Sequence, residues 1–307
     1  MALMIPTQKT MTTRAWAEMA LLALIWGGSF LSIRLALNEV PVMTTVAHRV
    51  FWAMLVLWAY IAVRRLPLPR DPRIWGAFLV MGLLNNVIPF SLMAWGQLHI
   101  ETGLTSILNA ATAIFGVIVA SALFADEQLT PRRAVGVVFG FFGVATAIGL
   151  ENLLQLDIRS TAQLAVLAGT LSYAVAGAWA RRMLARLTPQ VAAAGMLTGS
   201  SLVMVPLALV IDGVPSFDLS PTVWGAIGYY AVIATACAYL LYYRILDMAG
   251  SGNLMICTLL IAPVAIVLGA VVLGEELAPR AYLGFAILAL GLLVLDGRIL
   301  RFLRAAP

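Results

Sequence analysis

Charge is what this 307-residue chain has least of. Asp, Glu, Lys and Arg together make up 11% of it, where a soluble domain carries roughly a quarter, so water is not its main solvent. Cysteine is nearly absent too: Cys237 and Cys257 both sit inside apolar runs and read as small core residues rather than a disulfide or redox pair. No linker is long enough to hold a separate soluble domain. There is no His-Glu-x-x-His, no nucleophile elbow, no metal-spaced Cys/His set and no Gly-rich phosphate loop, which leaves the common hydrolases and nucleotide enzymes without their machinery. Ser29, Ser172, Ser200 and Ser201 have no apparent His or Asp partner for intramembrane hydrolysis. No enzyme and no cofactor is therefore expected. The net charge of +5 lacks the basic face with interleaved aromatics that nucleic-acid binding needs on a soluble fold, so no nucleic acid is expected either.

What fills the chain is hydrocarbon: 62% hydrophobic residues and a mean hydropathy of +0.98. A helix needs about 20 apolar residues to cross the ~30 Å core of a bilayer. Ten such runs can be marked, at roughly 16–37, 44–63, 74–97, 103–124, 132–150, 163–183, 190–211, 222–243, 251–273 and 281–297. Lys9 and Arg14 precede the first, which is too long for a signal-peptide core and has no clear cleavage site; it is expected to be a retained span. The connectors carry breakers such as Pro41, Pro67, Pro69, Pro131, Pro189, Pro221 and Pro279. Uninterrupted 20-residue runs favour helices over a closed β-barrel. With the N-terminus in the cytoplasm, fifteen of the nineteen Lys/Arg fall in cytoplasmic segments, as the positive-inside rule requires. The fold class expected is all-α integral membrane, with ten transmembrane helices and both termini cytoplasmic.

The chain also repeats itself, which bears on the whole fold. A shift of 148 residues lays Glu127-Gln-Leu-Thr-Pro-Arg132 on Glu275-Glu-Leu-Ala-Pro-Arg280, Gly136 on Gly284 and Gly143 on Gly291, six identities in the 17 positions from 127 to 143. Two halves follow, 1–151 and 152–307. Five helices per half is an odd number, so the second copy must enter the membrane inverted relative to the first. Inverted repeats mark secondary transporters, and a membrane scaffold or sensor needs no such symmetry.

Trp26-Gly-Gly-Ser-Phe30 in helix 1, Arg34 at its end and the twice-written Glu-x-Leu-x-Pro-Arg-x-x-x-Gly resemble the EamA family of the drug/metabolite transporter superfamily over nearly the whole chain. Within it, the chain looks most like the YddG-type bacterial exporters of aromatic and other amino acids. The resemblance implies a ten-helix basket in the bacterial inner membrane, with helices 1, 3, 4, 6, 8 and 9 around a central cavity and helices 5 and 10 as scaffold.

Polar residues inside spans are costly and so mark candidate sites. Asn85 and Asn86 lie near the middle of helix 3, just before Pro89, which frees the Asn85 carbonyl. The amides either line a cavity or simply bond that carbonyl. Asn86 and Phe90 share a stripe with Met93 and Gln97; Asn109 and Thr112 share a face of helix 4 with Thr105, where helix–helix packing is the alternative. Tyr239 sits deep in helix 8, whereas Tyr242 and Tyr243 are read as interfacial. Trp26 and Tyr173 occupy matching places in helices 1 and 6, as cavity lining or as packing. Arg34, His48 and Arg49 lie near the outer ends of helices 1 and 2; Arg34 and His48 are candidates for gating or proton sensing, although snorkelling is the default for Arg34.

No Asp or Glu lies at mid-span, and no Lys or Arg is found there. The small multidrug exporters of the superfamily place a glutamate in helix 1 where this chain has Trp26. An apolar, aromatic, amide-lined cavity suits a neutral or zwitterionic solute, moved outward by alternating access. The expectation is export of small amphipathic metabolites, amino acids foremost; a multidrug or other metabolite exporter is the alternative. The partners expected are that solute and the lipid bilayer. Oligomeric state stays open, and a monomer is compatible with everything in the sequence.

Overall fold

The computed structural model describes residues 12–149, 157–249 and 256–296. Among these residues there are no strands. They form ten helices: α1 Thr13–Ala36, α2 Val42–Arg64, α3 Pro72–Gly96, α4 Thr102–Leu123, α5 Pro131–Ile148, α6 Ile158–Met183, α7 Pro189–Ile211, α8 Pro221–Ala249, α9 Ile256–Leu273 and α10 Pro279–Asp296. The first eight are long and apolar enough to cross a membrane, and α9 and α10 are apolar but shorter. The expected start of the ninth span at 251, and the arginines that follow the tenth at 298, 301 and 304, lie outside the described residues.

The prolines that punctuate the sequence open helices. Pro72, Pro131, Pro189 and Pro221 each stand in the first turn of α3, α5, α7 and α8, where a missing N–H leaves nothing unpaired. Side chains cap the exposed first-turn N–H groups: Thr12 accepts from Ala15, Asp71 from Arg73, Thr130 from Arg133, Asp157 from Ser160 and Ser220 from Val223.

Glycine lets α5 and α10 meet backbone to backbone. A Cβ on Gly136 would stand 2.8 Å from the Gly291 carbonyl oxygen, and one on Gly284 would stand 2.6 Å from that of Gly143. These are four of the repeated positions, so the sequence repeat and the α5–α10 seam are one feature. Pairing 136 with 291 and 143 with 284 means that α5 and α10 run antiparallel. The same holds for α2 and α7, where Thr44 bonds Asp212 and Trp58 bonds Thr198. Equivalent helices of the two halves thus meet head to tail, and the halves run in opposite senses.

Ionic contacts gather at the two ends of the bundle. At one end, Glu18 accepts from Arg14 at 3.0 Å and Arg244 at 2.7 Å, and Arg181 bridges Asp126 and Glu127; the guanidinium beside Asp126 holds its carboxyl below the usual range. At the other, Glu101 pairs with Arg159 at 2.6 Å. There Glu39 accepts from the Ser220 backbone, and bonds from Ser220 hold that carboxyl below its ordinary value. Glu275, from the second copy of the repeated loop, reaches across to accept from the N–H groups of Thr102 and Gly103 at the start of α4. The loop therefore ties two helices as well as setting a turn.

Replacing Gly143 or Gly284 with leucine should split the α5–α10 seam, because the atoms in the way are backbone. Overpacking of this kind costs about 1–3 kcal/mol or more, read as a lower melting temperature in detergent. Gly177→Ala, with nothing within 4 Å, should leave melting unchanged or raised.

Candidate functional site

Helices α3 and α8, equivalent in the two halves, carry the same irregularity. Leu83–Val87 in α3 and Tyr229–Cys237 in α8 are π-helical, a widened winding that concentrates at functional sites. In α3 the Ile88 N–H bonds the Leu83 carbonyl, five residues back. In that register the carbonyl facing the N–H-less Pro89 is Leu84's, one residue earlier than α-helical counting from Pro89 gives. Ser172 of α6 donates its hydroxyl to it at 2.6 Å. In α8 the Trp26 indole N–H, from α1, donates to the Ala234 carbonyl at 3.1 Å. Each half's first helix thus satisfies the other half's π segment.

This arrangement releases the two asparagine side chains from backbone duty. Asn86 is fully buried and donates to Ser200 Oγ of α7 at 2.7 Å. Ser200 in turn donates to the Met196 carbonyl at 2.8 Å. Asn85 is half-buried; its amide reaches Asn86 Oδ1 at 3.2 Å and the Tyr239 hydroxyl at 3.4 Å. Tyr239 also lies 3.4 Å from Asn86 Oδ1, so two adjacent amides and a tyrosine from the opposite half form one triangle. Phe90 packs edge-on against Tyr173, ring centres 6.4 Å apart. Five of the residues picked from the sequence, Asn85, Asn86, Phe90, Tyr173 and Tyr239, are therefore joined by contacts between α3, α6 and α8.

The others are placed differently. Trp26 is half-buried, bonded to α8 and packed on Tyr242 at 5.7 Å; Tyr242 belongs to this inner aromatic group, contrary to the interfacial reading. Gly27 and Gly28 make room for Val264 and the Tyr229 hydroxyl, which a Cβ would meet at 2.5 and 2.6 Å. Helix α4 breaks at Ala110–Ala111, where N–H groups bond carbonyls three residues back. At three residues per turn the break leaves Asn109 and Thr112 one above the other. Thr112 spends its hydroxyl on the Asn109 carbonyl at 2.8 Å, and among the described residues no hydrogen bond links either side chain to the triangle. Asn253, the counterpart of Thr105 in the second copy, lies outside the described residues. Arg34 sits in the last turn of α1 and reaches Asn38 at 3.4 Å, a favourable place for a cation. His48 accepts from the Trp52 indole at 3.0 Å and packs against Trp224, so it is held in an aromatic pocket and does not approach Arg34 by any recorded contact.

Sequence reasoning missed three residues that complete the centre. Ser200 and Ser172 were weighed as nucleophiles and act as hydrogen-bond anchors. Arg49 was set with the helix-end charges. It lies seven residues into α2, about 10 Å along the axis, and turns inward. Its Nε donates to Thr235 Oγ1 of α8 at 3.0 Å, and its guanidinium lies over the Phe90 ring, 3.8 Å from the centroid. The signal was available: a charge two turns inside a span marks function by default. It also adds helix 2 to a wall that the family resemblance assigns to helices 1, 3, 4, 6, 8 and 9. Neither the groove of about 450 Å³ beside Tyr60, Gln190 and Arg244 nor the apolar one of about 460 Å³ beside Trp52, Val56 and Trp224 includes this centre.

The family model of the EamA-like transporters matches twice, over residues 15–149 and 160–295. The chain belongs to the EamA-like transporter family. Among its curated relatives are the uncharacterized transporter YoaV of Bacillus subtilis, 20% identical over 88% of this chain and 92% of the relative, and two with assigned solutes. One is a probable terminal-alkyne amino-acid exporter of Streptantibioticus cattleyicolor, 25% identical over 93% and 94%. The other is a probable amino-acid metabolite efflux pump of Escherichia coli, 20% identical over 89% and 92%. A solved crystal structure shares the fold, with a TM-score of 0.64 at 18% identity, covering 92% of this chain and 97% of the other. The EamA chain described here is thus a multi-pass membrane transporter whose polar centre lies where its two halves meet.

Ser172→Ala should leave the Leu84 carbonyl unpaired in an apolar surrounding. The penalty for such a group is about 1–3 kcal/mol, visible as a lower melting temperature. Trp26→Phe should remove the bond to Ala234 between α1 and α8 and also lower the melting temperature, and the two losses should add, since the bonds lie in different π segments.

Proposed function

We propose that this transporter exports small amphipathic metabolites, with aromatic and other neutral amino acids foremost, from the cytoplasm across the bacterial inner membrane. The observation that carries this reading is the Asn85–Asn86–Tyr239 triangle beside Phe90 and Tyr173. It offers a few oriented polar groups on an aromatic wall, the pattern by which apolar pockets orient small solutes. Two relatives, one named a probable terminal-alkyne amino-acid exporter and the other a probable amino-acid metabolite efflux pump, support the same reading. The halves, read as 1–151 and 152–307, exchange conformations to open the centre to one side and then the other. Both termini face the cytoplasm in this reading: the end that carries Arg14, Arg133, Arg181 and Arg244 is the basic one, and basic ends stay inside.

Reconstituted in liposomes, the protein should carry labelled phenylalanine and threonine, and carry neither a cationic dye nor a nucleotide sugar. Flux of the dye alone would replace this reading with a multidrug exporter, and no flux of any solute would favour a scaffold. Asn85→Leu should lower phenylalanine flux about tenfold, the scale of one lost hydrogen bond to a solute, with melting near that of the parent. Asn86→Leu is the poorer probe, since it also breaks the buried bond to Ser200.

A further inference from the structure

We propose that Arg49 is the counter-ion of the transported solute: its terminal amino groups receive a carboxylate, so the protein selects amphipathic molecules with a free carboxylate. This deepens the export reading above and rests on it.

The position of the guanidinium is fixed from two sides. Thr235 donates its own hydroxyl to the Tyr230 carbonyl at 2.7 Å, which turns an oxygen lone pair toward Arg49 Nε. Phe90 supports the flat face of the group. Both contacts leave the fork of two terminal nitrogens unengaged. Among the described residues those nitrogens have no hydrogen-bond partner, and no carboxylate pairs with Arg49. The ion pairs use Arg14, Arg133, Arg159, Arg181 and Arg244, all at the ends of the bundle.

Arginine keeps its charge in proteins, and an unpaired charge within a bilayer is expensive. The side chain is half-buried rather than sealed, and access for a solute is part of the proposal. Its surroundings supply further polar groups. Tyr173, Tyr230 and Tyr239 lie within electrostatic reach of the guanidinium. The Tyr230 hydroxyl is fully buried and has no partner. Tyr239 leads on to the two amides. A planar fork held at Nε matches a carboxylate bidentately. One cation balances one carboxylate; a phosphate dianion would need a second, and every other Lys or Arg side chain among the described residues with a recorded ion pair sits at an end.

The test uses the full chain in detergent and in liposomes, with four probes that share a phenyl ring: phenylalanine, phenylacetate, phenylalanine amide and phenethylamine. Phenylalanine and phenylacetate should raise the melting temperature and compete for labelled phenylalanine flux; the amide and the amine should do neither. Arg49→Gln should weaken phenylalanine binding about 10- to 100-fold, the range of one charge-assisted hydrogen-bonded pair, and Arg49→Lys should recover part of it. Equal competition by amide and acid in the unaltered protein would overturn the assignment while leaving amino-acid export standing, and that comparison does not depend on whether Arg49→Gln folds. Competition by inorganic phosphate as strong as that by phenylacetate would overturn the carboxylate in favour of a general anion site. Flux of a cationic dye in place of phenylalanine would instead overturn the export reading itself.

Discussion

Inside a bilayer each backbone carbonyl must find its partner within the protein, and the centre of this transporter is organised by two carbonyls in π segments that accept a side chain from the other half. The Leu84 carbonyl faces a proline, and the Ala234 carbonyl lies in the widened stretch of α8. Ser172 and Trp26 bind them from α6 and α1. Those bonds cross between the halves, so the same contacts that complete the backbone also bring α1 against α8 and α6 against α3. Because side chains from elsewhere serve the carbonyls, the amides of α3 and the tyrosine of α8 are left to bond one another and whatever enters the site.

The polar centre is asymmetric although its frame is a repeat. The first half contributes Asn85, Asn86, Phe90 and Arg49; the second contributes Thr235, Tyr239, Tyr173 and Ser200. Amides and a cation thus meet hydroxyls and aromatic faces. The contacts are complementary across the junction, and neither half holds a complete set. That division fits a device in which the two halves move relative to each other, since motion between them changes the site directly.

Much of this was legible in the sequence, and for specific reasons. Helix number and the two-half plan follow from 20-residue apolar runs and from a motif written twice, both of which survive any error in helix boundaries. Asn85, Asn86, Phe90, Tyr173 and Tyr239 stood out because amides and deep aromatics are conspicuous against hydrocarbon. The π segments were not legible: one extra residue in a turn leaves no compositional trace, and it moved the unserved carbonyl from Asn85 to Leu84. Arg49 was misread because distance along a helix says how deep a residue begins but not which way a long side chain turns.

The glycine seam between α5 and α10 has a mechanical meaning. With backbone meeting backbone at Gly136, Gly143, Gly284 and Gly291, there is no side-chain layer to shear, and sliding by a single residue would drive Leu288 or Leu295 into the main chain opposite. Such a joint resists sliding, so it keeps the two halves in register where their last helices meet.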